Sequence, residues 1–142
     1  MTMTGGCQCG AVRYELAKAP RRASICHCRM CQRATGSYFA PLANVKIKDF
    51  RLTKGELAIY RSSPVAERGF CAKCGSPLTF HYTELDDISV TIPSLDDPDA
   101  VAPQEQFGIE ARTAHWHTLD GLPGKTTEQS MPQEWLEKIA CT

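Results

Sequence analysis

The chain has 142 residues, with 16 Lys and Arg set against 16 Asp and Glu and therefore no formal net charge. Without a basic stripe, a nucleic-acid partner or an anionic membrane surface is not expected. No run approaches the roughly 18 apolar residues of a membrane-spanning helix. The opening MTMTGGCQCG has neither the charged nor the apolar part of a signal peptide, so a cytoplasmic location is expected. The length favours one domain over 1–142, able to bury roughly 70% of its unfolded surface.

In chain order the pattern is mostly of period two. In AVRYELA (11–17), Val12, Tyr14 and Leu16 alternate with Arg13 and Glu15, which predicts a strand with one buried face. RMCQRAT (29–35) predicts a short helix directly after a cysteine cluster. ELAIYR (56–61), PLTFHYT (77–83), ISVTIP (88–93) and QFGIEAR (106–112) are rich in β-branched and aromatic residues and read as further strands. KAPRRA, TKGE, SSPVAERG and SLDDPDAVAP separate them as turn or loop segments. AHWHT (114–118) reads as a strand with half-exposed imidazoles, and LDGLPGKTTEQS (119–130) as an irregular surface segment. MPQEWLEKIA (131–140) predicts a terminal helix with Pro132 near its start and Trp135, Leu136 and Ile139 on one face. The fold class is thus mainly β with few short helices.

Eight cysteines are many for such a chain. In a reducing compartment they are metal ligands or reactive thiols more often than disulfides. Seven fall into three tight groups: Cys7 and Cys9; Cys26, Cys28 and Cys31; Cys71 and Cys74. Cys141 stands alone and reads as a spare thiol near the terminus. Two groups end in Cys-Gly, at Gly10 and Gly75. A glycine there lets the chain turn with positive φ and lets backbone N–H groups approach a thiolate. Two ligands from each group close a tetrahedron, so Cys7, Cys9, Cys71 and Cys74 are expected to hold one structural zinc.

The CHCRMC group has three cysteines and no Cys-Gly. Three protein ligands with one exchangeable position is the arrangement of a catalytic zinc site, and an all-thiolate set favours zinc among common divalent metals. Two alternatives stand beside it. One is a closed site whose fourth ligand is His81, His115 or His117. His27 is a poor candidate, since between two ligands its side chain points away from theirs. The other is a redox pair, because Cys28 and Cys31 have the Cys-x-x-Cys spacing, although the surrounding βαβ pattern is missing.

GGCQCGAVRYE, CHCRMCQRATGS, FCAKCGSPL, SLDDP and the W…DGLP stretch, running from about Gly5 to Pro123, together resemble the glutathione-dependent formaldehyde-activating family. The resemblance implies an Mss4-like fold, a small β-sheet structure organised around a structural zinc. It implies two zinc ions per chain: Cys7, Cys9, Cys71 and Cys74 as structural ligands, and Cys26, Cys28 and Cys31 as ligands of the functional site. It also implies a carbon–sulfur lyase that joins glutathione, or a related thiol, to formaldehyde or another small aldehyde. A thiol carrier or sensor, and a protein-interaction module on the same scaffold, are the competing readings. No glutathione-reading motif is evident. Arg29, Arg33 and Arg68 lie near the cysteine groups and either meet a substrate carboxylate or are solvated surface cations. No general acid stands out among His27, Tyr38 and His81.

Overall fold

The computed structural model describes residues 2–139. Strands β1 (Met3–Gly6), β2 (Arg13–Leu16) and β5 (Phe50–Lys54) form a three-stranded antiparallel sheet in the order β1-β2-β5. The larger sheet is built from β3 (Arg22–Cys26), β4 (Ala40–Lys46), β6 (Ala58–Ser63), β7 (Ala66–Phe70), β8 (Pro77–Tyr82), β9 (Asp87–Thr91) and β10 (Glu105–Phe107). Its seven strands run in the order β10-β3-β4-β9-β8-β7-β6. Among the described residues only the β10–β3 pair is parallel. Three short α-helices accompany them: α1 (Arg29–Thr35), α2 (Thr127–Ser130) and α3 (Gln133–Leu136). The mostly β expectation is met.

The core lies where the two sheets meet. Val12, Tyr14 and Leu16 bury the alternate positions of the first strand read from the sequence, and they pack with Ala23, Ala43, Val45, Leu78 and Val90 of the large sheet. Period two decides the other face as well. Opposite Ala23, Ala43, Val45 and Val90, the residues Arg22, Ser24 and Cys26 of β3, Leu42, Asn44 and Lys46 of β4, and Asp87 and Ser89 of β9 line one long groove. A register slip of one residue would exchange core for groove. The core packing therefore also fixes which side chains meet the functional site.

Several boundaries differ from the sequence reading. The strand expected over 106–112 is only Glu105–Phe107, because Gly108 turns with φ 63 into a 3₁₀ turn at Ile109–Ala111. SSPVAERG is not all loop. Its second half opens β7, which is held on both sides by β6 and β8 despite the polar Glu67 and Arg68. KAPRRA runs into β3. AHWHT is not a strand; it leads into a 3₁₀ helix over Trp116–Gly121. The 119–130 segment contains α2, stopped at its start by a capping box between Thr126 and Gln129. The terminal helix is the single turn α3, and Trp135 is exposed. Ala140 and Cys141 lie outside the described residues.

Candidate functional site

The sulfurs of Cys7, Cys9, Cys71 and Cys74 lie within 4.8 Å of one another. Cys7 and Cys9 sit in the turn between β1 and β2, and Cys71 and Cys74 in the turn between β7 and β8. The two turns are alike. Gly10 has φ 75 and its N–H donates to Cys7 O at 3.1 Å; Gly75 has φ 77 and its N–H donates to Cys71 O at 2.8 Å. The positive-φ glycines expected from Cys-Gly are present, and they brace the ligand-bearing turns through carbonyls. Other amides approach the sulfurs, among them that of Val12, 3.2 Å from Cys7 Sγ.

These contacts favour thiolates at Cys7 and Cys74, whereas at Cys9 the Ala11 amide is outweighed by burial and the neighbouring sulfurs, which push the thiol up to about 11. Burial pushes the Cys7 thiol up, but the Val12 amide and hydrogen bonds from Cys71 and Cys9 outweigh it, and its pKa falls below the ordinary value. Hydrogen bonds from the Ser76 hydroxyl and amide hold Cys74 down, to about 5. Four converging sulfurs with N–H and O–H donors aimed at them fit a tetrahedral thiophilic metal. Without one, close sulfurs on four cysteines would be left to share protons. The group also joins the two sheets, since Cys7 and Cys9 follow a strand of one and Cys71 and Cys74 a strand of the other.

The second group is Cys26, Cys28 and Cys31, again within 4.8 Å of one another. Cys26 ends β3. Cys28 is the N-cap of α1, its Sγ accepting from the Cys31 N–H at 3.3 Å. Among the described residues no histidine or carboxylate joins the three. His81 instead faces Glu67 and the Leu85 carbonyl, and His115 and His117 are exposed. A closed site with a histidine as fourth ligand is therefore not formed. The redox alternative loses its setting too. Cys28 and Cys31 do lie at the start of a helix, but β3 and β4 flanking it are antiparallel, not a parallel βαβ crossover.

Cys26 and Cys31 share a proton in effect. Hydrogen bonding from Cys26 is the largest influence holding Cys31 down to about 5; burial opposes it, and the Arg68 guanidinium, 3.5 Å away, adds to it. The same Cys26–Cys31 bond, with burial, pushes the Cys26 thiol up. The pair thus favours a thiolate at Cys31, and a bound cation would displace the remaining protons.

His27 points away from this group, as its position between two ligands implies. It is fully buried, with Nε2 2.9 Å from Gln106 Oε1 and its ring edge-on to Trp116 and Phe39 at 5.3 and 5.8 Å. Gln32 donates to the carbonyls of His27 and Ala111. Gln32, Gln106 and Trp116 thus lock the loop that carries the cysteines. Gln32 and Gln106 carry no periodic signal in the sequence, and Trp116 enters there only as the tryptophan of the W…DGLP stretch.

All three sulfurs face the groove between β3–β4–β9 and the β7–β8 hairpin, a cavity of about 970 Å³. A second hollow, of about 570 Å³, shares Met30, Leu42, Ser62, Arg68 and Phe80 with it. Such volumes are those of small-molecule sites.

The family model described as glutathione-dependent formaldehyde-activating enzyme matches residues 2–111, which include all seven grouped cysteines. The chain belongs to this family. The match ends short of the W…DGLP stretch. A Schizosaccharomyces pombe protein named as an uncharacterized lyase is 33% identical over 79 residues, covering 56% of this chain and 57% of that relative. The chain thus aligns with little more than half of that relative's length. A Rhodobacter sphaeroides protein of known crystal structure is 27% identical and superposes with a TM-score of 0.59, covering 73% of this chain and 99% of that one. Among the described residues no helix is long and apolar enough to cross a membrane.

Proposed function

We propose that this chain is a single-domain, cytoplasmic, zinc-dependent carbon–sulfur lyase that forms and cleaves adducts of a low-molecular-weight thiol with a small aldehyde, glutathione and formaldehyde being the first pair to test. The observation that carries it is the three-cysteine group open to a groove and joined by no fourth histidine or carboxylate among the described residues. Family membership and the lyase name of the fission-yeast relative support it.

Cys7, Cys9, Cys71 and Cys74 would hold one zinc as a structural clip, and Cys26, Cys28 and Cys31 a second. When bound at the second group, zinc supplies an exchangeable position that lowers the pKa of an incoming thiol toward neutrality. The chain's own residues do the rest. The N-cap geometry of Cys28 and the locked His27 loop hold the three sulfurs in place. Arg68 sets a positive charge beside Cys31, offsetting the negative charge that thiolates bring to the site. Leu42, Phe80 and Phe107 give the groove apolar walls beside the reacting sulfur. In the reaction the thiol sulfur bonds to the carbonyl carbon while its proton ends on the carbonyl oxygen, giving a hemithioacetal; cleavage is the reverse. Catalysis here is thiolate supply plus proximity.

The uncatalysed addition is itself reversible, so the test is exchange between free and adduct formaldehyde at equilibrium, with and without zinc-loaded protein, over pH 6–8. Saturable acceleration that is absent in Cys31→Ala supports an enzyme. Rates equal to the no-protein control overturn that reading for this pair. If thiols still perturb the visible spectrum of the cobalt-loaded protein in that case, the chain is a thiol carrier instead.

A further inference from the structure

Four cations line the groove beside the three cysteines: Arg21, Arg22, Lys46 and Arg68. Three of them are neutralised. Arg21 pairs with Asp87 at 2.7 Å, Arg22 with Glu105 at 2.7 Å, and Lys46 with Asp86 and Asp87 at 2.7 and 2.9 Å. Arg68 differs. Among the described residues it forms no ion pair with a carboxylate. Its sequence neighbour Glu67 points to the other face of β7 and meets His81.

What holds Arg68 instead is neutral or soft. Nε donates to Ser62 Oγ at 3.0 Å, Nη2 approaches Cys31 Sγ at 3.5 Å, and the guanidinium lies over the Phe80 ring at 4.8 Å. Ring and hydroxyl fix the plane of the fork, and Arg68 lines both hollows that meet at this residue. A planar, pre-oriented guanidinium without a carboxylate is suited to bidentate capture of one. Arg29 and Arg33 are not equivalent. Both are exposed on α1, and Arg29 is engaged by Gln32.

From this juxtaposition of an open three-cysteine group with a guanidinium that pairs with no carboxylate among the described residues, we propose that Arg68 is the carboxylate anchor of the thiol substrate, so that the site selects thiols carrying a carboxylate a short span from sulfur. The proposal rests on the reading that a substrate thiol occupies the open position, and it narrows the substrate class. A simple dialdehyde or uncharged alkanethiol leaves Arg68 without a partner, and an extended neutral thiol fills the groove without using it. Met30, Leu42 and Phe80 then flank the carbon chain between sulfur and carboxylate.

The test uses zinc-loaded protein titrated by calorimetry with 3-mercaptopropionate and with its neutral amide, which differ only in charge. Glutathione and its glycyl amide form a second pair. The same thiols are added to cobalt-loaded protein, whose visible spectrum reports sulfur arriving at the metal. The carboxylate form of at least one pair is expected to bind about tenfold more tightly, as for a hydrogen-bonded ion pair. Arg68→Gln is expected to bring the ratio of carboxylate to amide affinity down to about one, whatever change it brings to the affinity of the amide forms, with metal content measured on the same sample. Should Arg68→Gln not fold, Arg68→Lys, which keeps charge but not the fork, is expected to show a reduced preference. Equal affinities within both pairs in the wild type, or an unchanged preference in the variant that folds, overturn the anchor and leave the thiol-at-metal reading intact if the cobalt spectrum still responds. No cobalt response to any thiol overturns both.

Discussion

Gly108 presses on Cys28: a Cβ placed on Gly108 would come within 2.8 Å of the Cys28 backbone nitrogen. Gly108 also has φ 63, a conformation that costs an L side chain roughly 1–2 kcal/mol. Backbone cannot yield as a flexible side chain can, so Gly108→Ala should push the CHC loop off α1. The expected outcome is loss of the second metal with the first retained, from a substitution that removes no ligand. Metal content of the purified variant checks this. Two metals bound as tightly as in the wild type would show that the 108–111 turn does not position the site.

Leu16 is fully buried in the cluster where the small sheet meets the large one. Leu16→Ala should cost about 2–5 kcal/mol, read as a shift of the denaturant midpoint in metal-loaded protein. Tyr14, its neighbour on the same face, hydrogen-bonds Ser94 at 2.7 Å, and burial pushes its phenol up to about 12. Tyr14→Phe should therefore leave the pH dependence of stability unchanged below pH 9.

The parts of the fold that the sequence made legible are those with a local physical signature. Val12, Tyr14 and Leu16 announced a half-buried strand by alternation, and RMCQRAT coincides with α1 because its cap, Cys28, lies beside it in sequence. The pairing of Cys7 and Cys9 with Cys71 and Cys74 was readable from the repeated Cys-Gly. Strands β3, β4 and β7 were not, because each is pinned by neighbours on both sides and needs little propensity of its own; Glu67 and Arg68 even argue against a strand. The roles of Gln106 and Trp116 depend on contacts 79 and 89 positions from His27, and no local pattern encodes those. Whether Arg68 was a surface cation or a groove residue likewise depended on the fold, since β7 had been read as loop.

Arg13 and Asp96 form a paired contact, Nη1 to Oδ1 at 2.8 Å and Nη2 to Oδ2 at 2.5 Å, and Thr4 Oγ1 donates to the same carboxylate. The bond from Arg13, then that from Thr4, holds the Asp96 carboxyl below the ordinary carboxylate range. A depressed folded pKa gives stability that is fully present above the unfolded value of about 3.9 and lost as pH falls through the folded one. Asp96 is about half exposed, at 47%, so solvent screening keeps the effect below roughly 1 kcal/mol. Asp96→Asn should therefore be slightly less stable than wild type by a gap that is constant from pH 7 to 5 and closes only below about pH 4. Urea unfolding of both proteins across that range checks it. A gap that narrows between pH 7 and 5 would assign the effect to another group.

The two cysteine groups should fail differently. A metal held by Cys7, Cys9, Cys71 and Cys74 would tie one sheet to the other, so losing it would remove a clip between halves of the core. A structural zinc contributes on the order of 10 kcal/mol to folding, more than the whole margin of a typical domain. Cys71→Ser is expected to be insoluble or unfolded. Cys26, Cys28 and Cys31 instead join one strand end to the helix that follows it, a local span already closed by the His27, Gln32 and Gln106 contacts. Cys28→Ser is expected to fold, to keep about one metal per chain and to lose thiol binding. Mild chelation of the wild type should likewise remove about one equivalent while the far-ultraviolet circular dichroism stays native, because an open position gives the chelator an entry path. Metal analysis and circular dichroism on the same samples decide the matter. If Cys28→Ser unfolds as completely as Cys71→Ser, the second group is a clip like the first, and the lyase reading would have to be abandoned with it.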